Sequence, residues 1–431
     1  MTNHSLKVLI IGAGIGGLTA AIGLRQQGHN IEVFERSELL REYGAAMHLA
    51  PNCTALLNRF GIDPGTVGGT PMRKVNTSKT RLIFAKQLIS RSAASDIQQE
   101  HYLIHRVDLH NELKRKATAI ESGGHPVRIR RGASVSHVDC EAAALTLMDG
   151  QTISGDVVIA ADGVHSSTRN IIAGDDSQPF LTGKSCYRYV TPISEIRKDP
   201  VTAQFVESPG CCLEVLGGDR SVIFYPCANN TSLYTGAFLP MSEVGSTEKG
   251  WGQAANKEKL LNSFSSFPPH IRALLEKAPE DSVQAWNLLD CPEVKRWTRG
   301  RAVLFGDAAH PFLPYMGQGA AMAIEDAACI SALLQEGTTA TAIPRLLELF
   351  QNYRKERVDR IAEFTRRRGR NFSGAEGPIL RVCLSILAPY ERAGLPGTAE
   401  EIAQIVQYCN NHDEWDNTTS KFKEWSARQK L

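Results

Sequence analysis

The stretch LKVLIIGAGIGGLTAAIGLRQQGHNIEVFER, Leu6–Arg36, opens with four apolar residues, Val8–Ile11, that read as a buried strand. A glycine-rich turn follows, then a helix from about Gly17 to Gln27, a stop at Gly28, and a second strand ending at Glu35. Gly12, Gly14 and Gly17 fill the three positions of a dinucleotide-binding turn. One permits the tight bend, one lets the backbone approach a pyrophosphate, and one allows close helix–strand packing. The pyrophosphate would lie at the helix N-terminus, where free N–H groups and the dipole favour negative charge. Glu35 falls 18 residues after Gly17, where an acid reaches a ribose hydroxyl pair; this suits NAD or FAD and not NADP. A glycine turn serving only helix packing is the plainer reading of those residues. The preceding strand, the following helix and the terminal acid together argue for a bound dinucleotide.

The rest of the composition is that of an ordinary globular chain with room for two domains: 431 residues, 42% hydrophobic, 22% charged, net charge +2. That balance gives no hint of nucleic acid. The ten cysteines are scattered, with no CxxC pair and no His/Cys ligand spacing, so neither a metal site nor a disulfide framework is indicated. Reduced thiols and a cytoplasmic location are the simplest expectation. Val8–Leu24 is seventeen residues without a charge, which could be taken for a signal or anchor segment; the glycine turn accounts for it better. No other stretch approaches membrane length, so no membrane span is expected.

Two further segments repeat the strand–turn–helix grammar. GDVVIAADGVHSSTR, Gly155–Arg169, gives a buried strand with Asp162-Gly163 at its end and a helix start marked by Ser166, Ser167 and Arg169. RAVLFGDAAHPFLPYMGQGAAMAIEDA, Arg301–Ala327, gives a strand Ala302–Phe305, then Gly306-Asp307. Pro311 and Pro314 break the chain before a helix from about Gly319 to Leu334. Three strand ends spread over some 300 residues suggest one extended ligand touched by three segments. NAD would not need that many.

These three segments, in this order and at these separations, resemble the single-component FAD-dependent aromatic monooxygenases. The likeness runs over roughly residues 6–370 and is greatest to the salicylate-hydroxylase-like branch, which includes fungal enzymes that hydroxylate aromatic polyketides. It implies an α/β fold: a Rossmann-type FAD-binding domain of the p-hydroxybenzoate-hydroxylase kind, an inserted α+β substrate domain over the flavin, and a C-terminal helical segment. The corresponding boundaries are 1–183 and 291–372 for the FAD-binding domain, 184–290 for the substrate domain and 373–431 for the tail. The cofactor implied is FAD, with NAD(P)H as a transient reductant. The chain carries no second glycine fingerprint for a dedicated nicotinamide domain. Partners are a small aromatic substrate and O2, on a monomer or homodimer.

The resemblance also implies roles for single residues. Asp307 would hold the flavin's ribityl chain. The helix after the break would aim its N-terminus, with Gly317, Gly319 and Ala320, at the pyrimidine edge of the ring, where small residues bring N–H groups against negative charge. Asp162 marks the second cofactor segment. In REYGAAMHLAPN, Arg41–Asn52, Ala46 matches a backbone contact beside the flavin, and in YLIHRVDLHNEL, Tyr102–Leu113, Arg106 matches the arginine at the ribityl-phosphate portion. A surface arginine at a helix start is its structural alternative.

Residues 184–240 alternate as strands, and the resemblance places the substrate under that sheet. A phenolic ring is attacked best as its phenolate, so a fixed cation beside the phenol oxygen is required. Arg188, in SCYRYV, is the first candidate; an arginine paired with a carboxylate at the sheet edge is the alternative. Many relatives carry glycine where Tyr189 follows, a departure expected to reshape the pocket. Tyr225, in VIFYPC, is a hydrogen-bond partner or proton relay to the substrate phenol, or simply packing. His48 is a substrate base near neutral pH or a structurally bonded histidine. His310 reads as structural. In the long helix from Leu346, the basic run Arg366, Arg367, Arg368, Arg370 is expected to be a solvated face. Residues 374–396 are expected to be loop-rich around one apolar helix, and the last thirty a packed helix or frayed tail without catalytic role.

The expected reaction is NAD(P)H- and O2-dependent hydroxylation of an aromatic, phenolic small molecule such as a polyketide or other secondary metabolite. Decarboxylating hydroxylation and epoxidation fit the same scaffold. A flavin-dependent reductase or oxidase that inserts no oxygen is the alternative.

Overall fold

The computed structural model describes residues 5–38, 46–73, 99–120, 125–174, 177–217, 219–244, 253–370 and 399–429. The strand Lys7–Ile11 lies between two parallel neighbours, Asn30–Phe34 and Val157–Ala160. Val157–Ala160 pairs in turn with Ala302–Leu304, and the short strands Arg128–Arg130 and Thr298–Arg299 close the two edges of this six-stranded sheet. A parallel sheet is covered on both faces, so its central strands need apolar side chains in both directions. Accordingly Val8, Leu9, Ile10, Val157, Val158 and Ile159 are all fully buried. The register sets Ile11 beside Ala160 and Ala160 beside Leu304. The three motifs that follow those strands therefore meet along one end of the sheet, where open α/β sheets bind ligands.

The helix Ile15–Gln26 is buried on almost every side, because a second helix, Gly319–Leu333, crosses it. Gly23 allows the crossing: a Cβ there would lie 2.2 Å from the Ser331 hydroxyl oxygen. The crossing helix is itself built of small and apolar residues and is buried from Ala321 to Leu333.

The second sheet is antiparallel, with strands in the order Leu213–Gly217, Arg220–Cys227, Ser232–Pro240, Phe180–Pro192, Gln284–Asp290 and Gln253–Ala254. Alternate side chains take opposite faces. Tyr187, Tyr189, Val222 and Phe224 enter an outer core with Phe264, Phe267, Ile271 and Leu274. Arg188, Tyr225 and Tyr234 occupy the other face, where the two tyrosines pack with Ala46 and Leu103. Tyr189 thus lies on the far side of the sheet from Arg188, which corrects the expectation that it reshapes the pocket.

The helix Ile343–Arg370 runs beside both sheets. Its basic run is not a solvated face: Arg366 forks onto both oxygens of Asp290 at 2.8 Å, and Arg368 reaches Glu214 Oε2 at 2.7 Å. Both acids belong to the antiparallel sheet, so two of the arginines tie it to the FAD-binding domain. Arg367 alone among the described side chains of the run is exposed, paired with Glu363. The apolar helix expected within 374–396 lies outside the described residues. Beyond it, Ala399–Asn410 and Glu414–Gln429 are helices, and Glu414 is fully buried, accepting from Arg354 Nη1 at 2.7 Å. Arg354 also bonds Glu325 Oε2 and Asp326 Oδ1 at 2.8 Å each, and Arg357 forks onto Glu325. The tail is part of the core of the FAD-binding domain. Among the described residues no helix is long and apolar enough to cross a membrane.

Candidate active site

The first glycine turn has the conformation a dinucleotide requires. Gly12 has φ +97°, and a Cβ there would sit 2.4 Å from the Ala161 carbonyl oxygen; a Cβ on Gly17 would sit 2.1 Å from the Gly12 carbonyl oxygen. Both are glycine because the turn folds onto its neighbours. Gly14 is different: a Cβ there would meet nothing within 4 Å. It caps the Ile15–Gln26 helix without any side-chain bond, so its face of the turn is open to a phosphate. The Glu35 carboxylate accepts from the Ala13 N–H at 2.9 Å and the Ser37 N–H at 2.8 Å, and His110 Nε2 meets the Ala13 carbonyl at 2.8 Å. Glu35 is thereby held at the turn with lone pairs left for a ribose.

The other two motifs are bound to each other. The Asp162 carboxylate is engaged within its own loop, accepting from the hydroxyls of Ser166 and Thr168 at 2.7 and 3.0 Å and from the Ser167 N–H at 2.9 Å. Arg169, fully buried, donates to the carbonyls of Val164, Asp307 and Ala308 at 2.9, 3.0 and 2.7 Å. It is the bolt between the second and third motifs. Its Nη1 is buried with no partner among the described residues.

Asp307 follows Gly306, whose φ of +57° turns the chain at the strand end. The Asp307 carboxylate has no hydrogen-bond partner among the described residues. Burial raises its pKa, opposed by the nearby charges of His310, Arg106 and Arg169. The loop is fixed from behind, since Asp326 Oδ2 accepts from the Gly306 N–H at 3.0 Å and contacts His310 Nε2 at 2.7 Å. His310 is structural in that sense. Gly319 and Ala320 begin the Gly319–Leu333 helix, half-buried, and Asn52 bridges its start and middle through Gln318 and Glu325 at 3.3 and 2.7 Å. Open space over Gly14, an unpartnered carboxylate at Asp307 and an orphaned Arg169 nitrogen fit an extended ligand lying across the sheet end. FAD has groups for each: its pyrophosphate would take the Gly12–Gly17 turn, its adenosine ribose Glu35, and its ribityl chain Asp307 and Arg106.

Over this end of the sheet stands the inner face of the antiparallel sheet. Arg188 lies 5.3 Å from the Trp286 ring centre, with its Nε buried and unpartnered. No carboxylate pairs with it among the described residues. Burial opposes its charge, while the phenols of Tyr234 and Tyr225 and the Cys186 thiol support it. Tyr225 is 4% exposed and donates its hydroxyl to the Ala46 carbonyl at 2.8 Å. That spends the donor of the expected proton relay on the strand Ala46–Leu49, and leaves the oxygen only lone pairs. His48 stacks edge-on against Tyr225 with centroids 4.6 Å apart, and its Nδ1 lies 3.2 Å from His101 Nε2. Burial, then His101 and Arg368, hold His48 well below the usual histidine range, and burial brings His101 down to about 4. Both are neutral at pH 7, so His48 is a weaker base than an ordinary imidazole.

Several residues escaped sequence reasoning. Asn52, Arg354, Arg357 and Glu414 give no local signal, because their partners are far along the chain. Tyr234 could have been found: it stands directly opposite Tyr225 in the register and so shares its face.

Residues 5–365 match the family described as FAD binding domain. The chain is 34% identical over 370 residues to the FAD-dependent monooxygenase cfoG of Aspergillus candidus, covering 84% of each chain. It is 31% identical to hispidin-3-hydroxylase of Neonothopanus nambi over 83% of this chain and 87% of that one. It is 32% identical to 3-amino-4-hydroxybenzoate 2-monooxygenase of Streptomyces cremeus over 88% and 90%. In fold it is similar to a salicylate hydroxylase substrate complex, with a TM-score of 0.72 over 96% of this chain and 97% of that one at 24% identity. With three strand-end motifs converging at one end of the parallel sheet, the chain belongs to the FAD binding domain family and is an FAD-dependent monooxygenase.

Proposed function

We propose that the protein hydroxylates a phenolic aromatic small molecule held as its phenolate by Arg188, with NAD(P)H as reductant and O2 as oxidant. The observation that carries this is the half-buried Arg188 guanidinium, its Nε buried and unpartnered, with no acid beside it among the described residues. A cation shielded from water is costly unless paired, and here its neighbours are Trp286, the Cys186 thiol and the phenols of Tyr225 and Tyr234. An anionic substrate oxygen completes the site. The relative named for oxygenating a hydroxybenzoate supports a hydroxylated ring as the substrate class.

Bound FAD, once reduced, supplies the activated oxygen. The protein supplies the rest. Arg188 lowers the pKa of the substrate phenol and fixes the anion in place. Tyr225 couples the substrate face to the flavin-side strand through Ala46. The antiparallel sheet, tied down by Arg366 and Arg368, keeps bulk water from the ring. The nicotinamide docks transiently and leaves no fixed domain of its own. We place the enzyme in the cytoplasm as a monomer or homodimer.

The test is NAD(P)H consumption by the FAD-loaded protein with a panel of phenolic acids and aromatic polyketides, tracing labelled O2 into product. Arg188→Ala is expected to keep its flavin and lose substrate-stimulated, label-incorporating turnover. Undiminished hydroxylation by that variant refutes the role of Arg188. Product formed without label moves the enzyme to the reductase or oxidase class.

A further inference from the structure

Asn52, on the helix Pro51–Arg59, is fully buried, and its side chain faces two acceptors. Its Nδ2 donates to Glu325 Oε1 at 2.7 Å and to Gln318 Oε1 at 3.3 Å. The Asn52 Oδ1 is buried with no hydrogen-bond partner among the described residues. Buried polar atoms are nearly always bonded, so an orphaned carbonyl shows that something outweighs its own needs. That is Glu325. Although burial opposes its charge, Arg357 and Arg354 hold its carboxyl well below the ordinary carboxylate range. Arg357 Nη2 and Nε and Arg354 Nη1 donate to its two oxygens at 2.7–2.8 Å. An ionised carboxylate only accepts. Turning the Asn52 amide over would set two acceptors 2.7 Å apart, so its orientation is forced by a charge.

The constraint passes on to Gln318. Its Oε1 receives the second Asn52 N–H, and because an amide carries its oxygen and nitrogen on opposite sides, the two N–H donors of Gln318 are turned away from Asn52. Gln318 is buried and immediately precedes the helix Gly319–Leu333, whose first turn has no acidic residue and no side-chain cap. The N–H groups of such a turn have no partner within the helix. The helix start packs on the loop that follows Asp307: a Cβ on Gly319 would lie 3.6 Å from Phe312 Cβ. Further along the same helix, Asp326 holds the Gly306 N–H. A set of donors thus borders the cofactor loop and favours negative charge there.

We infer that Asn52 is a positioning residue for the flavin: by fixing the Gln318 amide it holds a side-chain donor at the uncapped helix start, against the pyrimidine edge of the ring. The inference goes beyond the reading of Arg188 and does not depend on it. A hydride from NAD(P)H adds two electrons and one hydrogen to the neutral ring, and the nicotinamide leaves oxidised. The ring is then an anion, its charge spread over the pyrimidine half. Hydrogen bonds to a charged acceptor are roughly twice as strong as neutral ones, so a donor at that edge favours the reduced form over the oxidised one. An acceptor there would do the reverse, and Glu325, through Asn52, keeps the Gln318 acceptor turned away.

The experiment measures the midpoint potential of the FAD-loaded enzyme at pH 7 against a reference dye, together with flavin content and thermal midpoint. The proteins compared are the wild type, Gln318→Met, Asn52→Leu, Asn52→Ala and the double variant Asn52→Leu with Gln318→Met. Gln318→Met is expected to shift the equilibrium between oxidised and reduced flavin about tenfold toward the oxidised form, a fall of about 30 mV for a two-electron couple. Both Asn52 variants are expected to lower the potential with Gln318 intact. The double variant is expected to fall no further than Gln318→Met alone, as for residues that act through one another. Asn52→Ala gives the result if leucine does not fit the buried site. A wild-type potential in Gln318→Met overturns the inference, whatever the Asn52 variants do. A wild-type potential in the Asn52 variants with a lowered thermal midpoint, or a double variant whose fall is the sum of the two, makes Asn52 structural and overturns its role. None of these outcomes bears on Arg188, whose test is hydroxylation.

Discussion

Replacing Arg354 by methionine removes the one side chain that bonds three buried acids together. Arg354 is fully buried and donates to Glu325, Asp326 and Glu414 at 2.7–2.8 Å. Its removal leaves Arg357 as the single arginine facing those carboxylates. Methionine matches the aliphatic stem, so the volume lost is small and the penalty is chiefly that of uncompensated buried charge. Breaking one buried pair costs about 3–5 kcal/mol, and here a single substitution breaks three contacts of one cation. At about 2 °C per kcal/mol for a large chain, the thermal midpoint of the FAD-loaded enzyme falls by about 6–10 °C. The loss has a direction as well as a size. Asp326 also holds the Gly306 N–H, so the loop carrying Asp307 loosens, and flavin fluorescence is expected to rise before the far-ultraviolet circular dichroism changes. Arg354→Lys keeps the charge but not the fork of donors and is expected to fall between the two. A methionine variant that melts with the wild type and releases flavin together with global unfolding refutes the argument that this network supports the cofactor loop.

Asp307→Ala is expected to purify colourless or poorly loaded, read as the ratio of flavin to protein absorbance; a fully yellow variant removes Asp307 from the cofactor site. Stability is expected to fall as pH is lowered from 7 to 5. The folded-state pKa values of His101 and His48 lie below the usual 6.5, so the unfolded chain takes up their protons first and is favoured as pH falls from about 6.5 toward 4. For His101, at about 4, the loss by pH 5 is about 2 kcal/mol. Denaturant unfolding at the two pH values, on the wild type and His101→Asn, checks this: an equal loss in both assigns the effect elsewhere.

The relation of the glycine turn to its function was legible from Leu6–Arg36 alone, because a turn that folds onto its own neighbours needs glycine for local reasons. The same holds for the ends of the strands at Ala160 and Leu304, where a run of buried apolar residues stops at Asp-Gly or Gly-Asp. Strand alternation was legible too, and with it the placing of Arg188 and Tyr225 on strands. Alternation also sets Tyr189, the neighbour of Arg188, on the opposite face.

Local chemistry, then, is what the linear chain determined: turn glycines, buried runs, helix starts and the candidates among them for cofactor and substrate. Tertiary structure decided which of those groups find partners. Arg366 and Arg368 read as a basic helix face until the fold brings Asp290 and Glu214 to them from 76 and 154 residues away. Glu414 reads as one acid in a polar tail until it is buried against Arg354, 60 residues upstream. Tyr225 and Tyr234 are alike in the chain, and only the fold brings the Ala46 carbonyl to the hydroxyl of the first. A hydrogen bond is decided by where two atoms come to rest, and for groups this far apart in sequence that is settled by packing and not by any neighbour in the chain.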